Sequence, residues 1–309
     1  MKAIQYSAYG GPEVLELVDI DEPAPAPGQV LVDVHAASVN PVDWKIRRGM
    51  LKAVYEYGFP SIPGRDASGV VAALGEGVDD FAVGDGVCLV GPREPVGTFV
   101  ERFAVDTELV AAKPARLDHI ATAAFPLAGL TAWCALVENA GVKAGMKVLV
   151  HAGAGGVGGL AVQLASHLGA EVAATCSAAN ADYVAGLGAS RVIAYDKDDF
   201  TEALSDIDVV LDTMGGEVHR RSYQVMKRGG MLVVIRAAPI EDLSEQYGVE
   251  VRMSQMRADG GRLRTLAQLV EDGALEPQVG TVMTLAEAAE AHRLSETGHA
   301  RGKIVLTLR

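Results

Sequence analysis

The sequence predicts an α/β protein of two domains, a β-barrel-like unit of short strands joined to a doubly wound parallel sheet. Three observations predict it. Residues 1–119 are broken by Pro and Gly into short apolar runs, residues 120–275 alternate continuous apolar strands with helical stretches, and a glycine loop joins one of those strands to a helix. At 309 residues, 49% of them apolar and 22% charged, the chain is long enough to bury the core that two domains need.

In the first region the runs 30–34, 69–74 and 86–90 are closed by Pro27-Gly28, Glu76-Gly77 and Val83-Gly84-Asp85. Short strands punctuated by turn residues indicate a compact β unit. In the second region 148–152 is a continuous apolar strand, followed by the glycine loop, a helix over 157–168 and a second strand over 171–175. Further strands are expected at 192–195, 209–212 and 231–235. Strands buried on both faces and separated by helices belong to a parallel sheet covered on both sides. The last thirty residues hold an alanine-rich helix over 285–297 and a strand over 303–308. A terminal strand of this kind can pair back into the first domain. The expected organisation is a first domain of 1–119 completed by about 276–309, a second of 120–275, and a cleft between them.

Charge narrows the partners. With 27 basic and 40 acidic residues the formal charge is −13, which argues against nucleic acid or an anionic membrane surface, since both favour a basic face. The first residues lack the apolar stretch of a signal peptide, and no window approaches the roughly 20 apolar residues of a bilayer span. Cys88, Cys134 and Cys176 are far apart and odd in number, which suits a reducing compartment and forms no metal spacing. A cytoplasmic location is expected.

Gly153-Ala154-Gly155-Gly156-Val157-Gly158 fits the pattern G-x-G-x-x-G between a buried strand and a helix. The first glycine permits the turn, the second lets backbone approach a diphosphate, and the third lets helix pack on sheet, while the helix N-terminus offers N–H groups to the phosphates. A dinucleotide is therefore expected. An NAD site places Asp or Glu at the end of the second strand to hold the ribose hydroxyls. Here 171–175 runs into Cys176-Ser177-Ala178-Ala179-Asn180, with no carboxylate at that tip. Ser177 and Asn180 are donors suited to a 2′-phosphate, so NADP(H) is expected, its cation coming from Arg301 or Lys303.

The chain also resembles the zinc-independent quinone oxidoreductase (zeta-crystallin-like) branch of the medium-chain dehydrogenase/reductase superfamily over nearly its whole length. The resemblance rests on Ala37-Ser38-Val39-Asn40-Pro41-Val42-Asp43-Trp44-Lys45-Ile46-Arg47-Arg48-Gly49, on Pro63-Gly64-Arg65-Asp66-Ala67-Ser68-Gly69, on Pro126-Leu127-Ala128-Gly129-Leu130-Thr131, on the glycine loop, on Asp212-Thr213-Met214-Gly215-Gly216 and on Gly302-Lys303-Ile304-Val305-Leu306. It implies a GroES-like substrate domain, a Rossmann NADP-binding domain and a homodimer. In zinc-dependent relatives a Cys stands near the position of Asn40, and Gly-His-Glu stands where Gly64-Arg65-Asp66 is here. Neither zinc ligand survives, so no metal is expected.

Without a metal, charge on the substrate oxygen needs a hydrogen-bond donor or a conjugated substrate that spreads it. This favours quinones and α,β-unsaturated carbonyls. By resemblance Asn40 faces the nicotinamide and donates to substrate or cofactor, and Lys45 donates a hydrogen bond or a proton. The alternatives are that Asn40 only shapes the turn before Pro41 and that Asp43 and Lys45 form a structural ion pair. Thr131 and Tyr195 are expected at the cofactor by resemblance. Tyr55, Tyr57, Arg65 and Arg236 are candidates for the substrate pocket, whereas Asp212 is expected to organise the Gly215-Gly216 turn and His151 to be packed. Two other functions stay open: a dinucleotide-binding redox sensor with little turnover, and an enoyl-thioester reductase.

Overall fold

The computed structural model describes residues 1–54, 58–92, 95–235 and 240–309. It divides into two compact units, one of 1–127, 258–272 and 277–309, the other of 128–257 and 273–276.

The first unit is built on a seven-stranded sheet whose long central strand is Gln29–Val39. One edge of that strand pairs antiparallel with Asp66–Leu74. The other edge takes Arg102–Asp106 along its first half and the terminal strand Lys303–Thr307 along its second. The return of the chain end is thus explicit, with Ile304 opposite Val39 and Leu306 opposite Ala37. Alternate residues Val30, Val32 and Val34 fill the core with Leu89, Phe99 and Leu306, and such burial of apolar area is the main stabilising term. Helix α1, Pro41–Arg47, follows the central strand directly. Pro41 sits at its first turn, where a missing N–H costs nothing. Helix Gly260–Glu271 also belongs to this unit, which corrects its assignment to the second region. A helix after a run of parallel strands reads as one more turn of the doubly wound pattern, and only tertiary packing shows otherwise.

The second unit is a six-stranded sheet, parallel throughout. Its strands are β1 (Lys147–Val150), β2 (Glu171–Cys176), β3 (Arg191–Ala194), β4 (Ile207–Asp212), β5 (Met226–Val234) and β6 (Glu250–Met253). They lie in the order β3-β2-β1-β4-β5-β6. The strand order reverses between β1 and β4, the place where doubly wound sheets bind their ligands. Helix α2, Gly156–His167, follows β1. Helix α3, Gly216–Ser222, follows β4. The interior strand β1 reads as an apolar run because both its faces are covered, and Val148, Leu149 and Val150 are fully buried. Among the described residues no helix is long and apolar enough to cross a membrane.

Candidate active site

The glycine loop lies at the order reversal. His151 N–H donates to Leu211 O of β4 at 3.1 Å, and Gly153 N–H donates to Thr175 O of β2 at 2.8 Å, so the loop is fastened to both flanking strands. Its glycines answer to different constraints. A Cβ on Gly153 would lie 3.0 Å from Ala174 Cβ and 3.2 Å from Val184 Cγ1, and one on Gly158 would lie 2.1 Å from the carbonyl oxygen of Ala152. Those two positions are glycine because the protein's own atoms fill the space. At Gly155 a Cβ would meet only Ala152 O, at 3.4 Å. Gly155 is the N-cap of α2 with φ −82° and ψ 173°, an ordinary extended conformation, and no side chain caps the helix. Ala154, Gly155, Gly156 and Val157 are partly exposed, whereas Gly153 and Gly158 are buried. A polar N-cap residue would normally satisfy the first N–H groups of a helix. Here those groups and the open space at Gly155 suit an anion such as a diphosphate.

The polar side chains around the loop are held by hydrogen bonds. His151 is 1% exposed, with Nδ1 3.1 Å from Thr175 Oγ1 and Nε2 3.0 Å from Ser222 Oγ. Burial lowers its pKa to about 4, so it is a neutral packing residue at ordinary pH. Asp212 accepts from the N–H groups of Met214 and Gly215, each at 2.8 Å, and its other oxygen lies 2.9 Å from His219 Nδ1. It does organise the turn at Gly215-Gly216, where φ is +71° and +60°. Thr131 is half-buried on the helix Pro126–Trp133.

At the tip of β2, Asn180 Nδ2 donates to Ser177 Oγ at 3.0 Å, which brings these two candidates together. Tyr195, 54% exposed, follows β3, and its N–H donates to Cys176 O at 2.9 Å. The expectation that this tip carries no carboxylate needs correction. Asp196 arrives from β3 and accepts the Ala178 N–H at 2.8 Å. Following β2 alone misses it, because parallel pairing lays the end of β3 beside the end of β2.

In the first unit, Asn40 and Asp66 belong to a buried polar network. Asn40 is 4% exposed. Its Nδ2 donates to Asp66 Oδ1 at 2.9 Å and to Ser38 O at 3.2 Å, so both amide hydrogens are engaged. Its Oδ1 accepts from Lys303 Nζ, which also donates to Val39 O at 3.2 Å. Asp66 takes two further donors, Ser38 Oγ at 2.6 Å and Leu127 N–H at 3.1 Å. Lys303 is 5% exposed, and burial lowers its pKa while the charges of Asp66 and Asp43 oppose that. It is therefore not a surface cation for a phosphate, contrary to one of the two expectations above. Arg301, the other candidate, is exposed. Asp43 Oδ2 accepts the Asn40 backbone N–H at 2.7 Å. Burial, reinforced by the charge of Asp66, pushes the Asp43 pKa up to about 7 against the effects of the Asn40 N–H, Arg65 and Lys303.

Lys45 is half-buried, its ammonium 5.5 Å from the centre of the Trp44 ring. Arg65 is spent on Gly91 O through Nε at 3.3 Å and a terminal nitrogen at 3.1 Å. Tyr55, Tyr57 and Arg236 lie outside the described residues. Among the described residues no three His, Cys, Asp or Glu side chains gather as metal ligands. Cys88, Cys134 and Cys176 are free and buried, and burial raises the Cys88 pKa to about 12.

The chain matches two family models, an alcohol dehydrogenase GroES-like domain over residues 26–115 and a zinc-binding dehydrogenase over residues 187–306. The chloroplastic NADPH-dependent alkenal/one oxidoreductase of Arabidopsis thaliana is 36% identical over 318 residues, 99% of this chain and 79% of that protein. The quinone oxidoreductase structure from Coxiella burnetii superposes with a TM-score of 0.92 at 36% identity, covering 100% of this chain and 99% of that one. The Escherichia coli quinone oxidoreductase complexed with NADPH gives a TM-score of 0.90 at 27% identity, with both chains fully covered.

Proposed function

Because the chain belongs to the zinc-independent quinone oxidoreductase branch of the medium-chain dehydrogenase/reductase superfamily, we propose that it is an NADPH-dependent enzyme that reduces quinones and α,β-unsaturated carbonyls. The observation that carries this reading is the glycine loop at the strand-order reversal, with the open space at Gly155. The loop residues Gly153, Ala154, Gly155, Gly156, Val157 and Gly158 hold the diphosphate through backbone N–H groups and the N-terminus of α2. Ser177, Asn180 and Tyr195 receive the adenosine end, and Thr131 supports the nicotinamide end.

Bound there, NADPH supplies the hydride equivalent. The protein's part is to align the acceptor, exclude water and stabilise charge on its oxygen. Of the two residues assigned to that oxygen, Asn40 already gives both amide hydrogens to Ser38 and Asp66. We therefore assign it the shaping of the entry to α1. The donor role is assigned, from the resemblance, to Lys45, whose ammonium can donate a hydrogen bond or a proton. A conjugated acceptor delocalises the incoming charge, and its enolate is protonated by water or Lys45, so a metal is not required.

We also propose a cytoplasmic homodimer. The free thiols suit a reducing compartment, and β6 leaves one edge of the parallel sheet for a second copy. Light scattering and cell fractionation test these two points. The enzymatic reading is tested by NADPH oxidation with a panel of quinones and enones. Turnover of several members supports it, whereas tight NADPH binding with no turnover of any would favour a redox sensor instead.

A further inference from the structure

We propose that Asp196 is a specificity-determining residue that limits how strongly the chain prefers NADPH over NADH. The inference deepens the dinucleotide reading above and rests on it.

In a doubly wound nucleotide fold the end of the second strand meets the adenosine ribose, and a carboxylate there accepts hydrogen bonds from the ribose hydroxyls. In the turn after β2 the polar side chains are neutral: Ser177 and Asn180, bonded to each other. The charge comes from the neighbouring strand. Ala194 pairs with Cys176 in parallel register, and the Tyr195 N–H on Cys176 O extends that pairing past the end of β3. The next residue is Asp196. Its Oδ1 accepts the Ala178 N–H at 2.8 Å, fixing the carboxylate beside the Ser177–Asn180 turn. A second observation reports the same field. The Cys176 pKa is raised, chiefly by burial and further by the charge of Asp196.

One carboxylate acts with opposite sign on the two cofactors. A 2′-hydroxyl donates a hydrogen bond to it, while a 2′-phosphate, with a charge of about −1.5 to −2 near neutral pH as for other phosphate monoesters, is repelled. Asp196 is exposed, so solvent and salt screen the repulsion. It therefore moderates the preference for NADPH without reversing it. The next residue, Lys197, lines a surface hollow with Arg191, Asp198, Asp199 and Glu202.

The test measures dissociation constants for NADP⁺ and NAD⁺ by calorimetry on the wild type and on Asp196→Asn, Asp196→Glu and Asp196→Ser. Asn keeps an oxygen for the Ala178 N–H and removes only the charge. The dissociation constant for NADP⁺ should fall roughly three- to tenfold in Asp196→Asn, with no gain for NAD⁺. Asp196→Ser should move the same way, Asp196→Glu should keep the wild-type ratio, and melting temperatures should stay level. Unchanged or weaker NADP⁺ binding in both neutral variants, with NAD⁺ still bound, overturns the role of Asp196 and leaves the enzyme reading intact. Failure of the wild type to bind either dinucleotide overturns both.

Discussion

The glycine loop of the second unit and the Asn40 network of the first are both held by hydrogen bonds, yet they are specified in opposite ways. The loop is local: six consecutive residues, fastened by backbone hydrogen bonds to the strands on either side, with glycine enforced at 153 and 158 by atoms of nearby elements. The network is assembled from side chains distant in sequence, with Lys303 and Asn40 separated by 263 positions and Asn40 and Asp66 by 26. The difference teaches which kind of error each region tolerates. A backbone site fails by steric intrusion, whereas a buried ionic network fails by losing one partner and stranding the others.

The largest expected effect breaks the loop. Gly158→Ala forces a methyl group to 2.1 Å from Ala152 O, a backbone atom that cannot rotate away. Expected are a loss of about 3 kcal/mol or more of stability and no detectable dinucleotide binding, read by denaturant unfolding and calorimetry. The next breaks the network. Lys303→Met leaves Asn40 Oδ1 without its donor and removes the positive charge that opposes Asp43 and Asp66. About 3 kcal/mol of destabilisation is expected, seen in urea titrations as a lower midpoint at constant slope. Retained stability would mean that the network is dispensable.

The comparison sharpens under acid. In the second unit, His151 has its folded pKa lowered by burial to about 4. In the first, burial with a smaller contribution from Arg47 lowers that of His292 to about 3. A histidine whose folded pKa is depressed binds protons more readily when unfolded. Its neutral, packed form therefore costs nothing above the unfolded value of about 6.5, and stability is lost as pH falls from there toward 4. For the fully buried His151 the loss reaches about 2–3 kcal/mol near pH 4. Asp43 has the reverse sign. Its pKa is raised to about 7, so its contribution favours the folded state at low pH and is lost as pH rises through that value. Asp43→Asn should therefore be more stable relative to the wild type at pH 8 than at pH 5. Unfolding of this variant across that range checks the first unit, as His151→Gln between pH 7 and 4 checks the second.

The same contrast explains what the sequence disclosed. The two sheets, the returning terminal strand and the glycine loop follow from periodicity and punctuation along the chain, because they arise from near neighbours. β6 gives no such signal, since an edge strand of Glu250, Val251, Arg252 and Met253, mostly exposed, has no apolar run to betray it. Helix Gly260–Glu271 has its apolar face filled by Leu263, Leu266, Ala267 and Val270, a pattern that says what is buried but not against which sheet. Asp196 escaped because its influence crosses between strands. The resemblance singles out Asn40, but its hydrogen bonds depend on Lys303, a lysine from the last strand of the chain.

The account stands on Gly155, where an added Cβ would meet only the carbonyl oxygen of Ala152, at 3.4 Å. The direct measurement is NADPH binding by calorimetry for the wild type and Gly155→Val, with thermal unfolding of both without cofactor. The backbone there is extended and the space open, so the variant should melt within a few degrees of the wild type while its affinity for NADPH falls about tenfold or more. Equal affinity in the two proteins, or no binding by the wild type, would contradict the assignment.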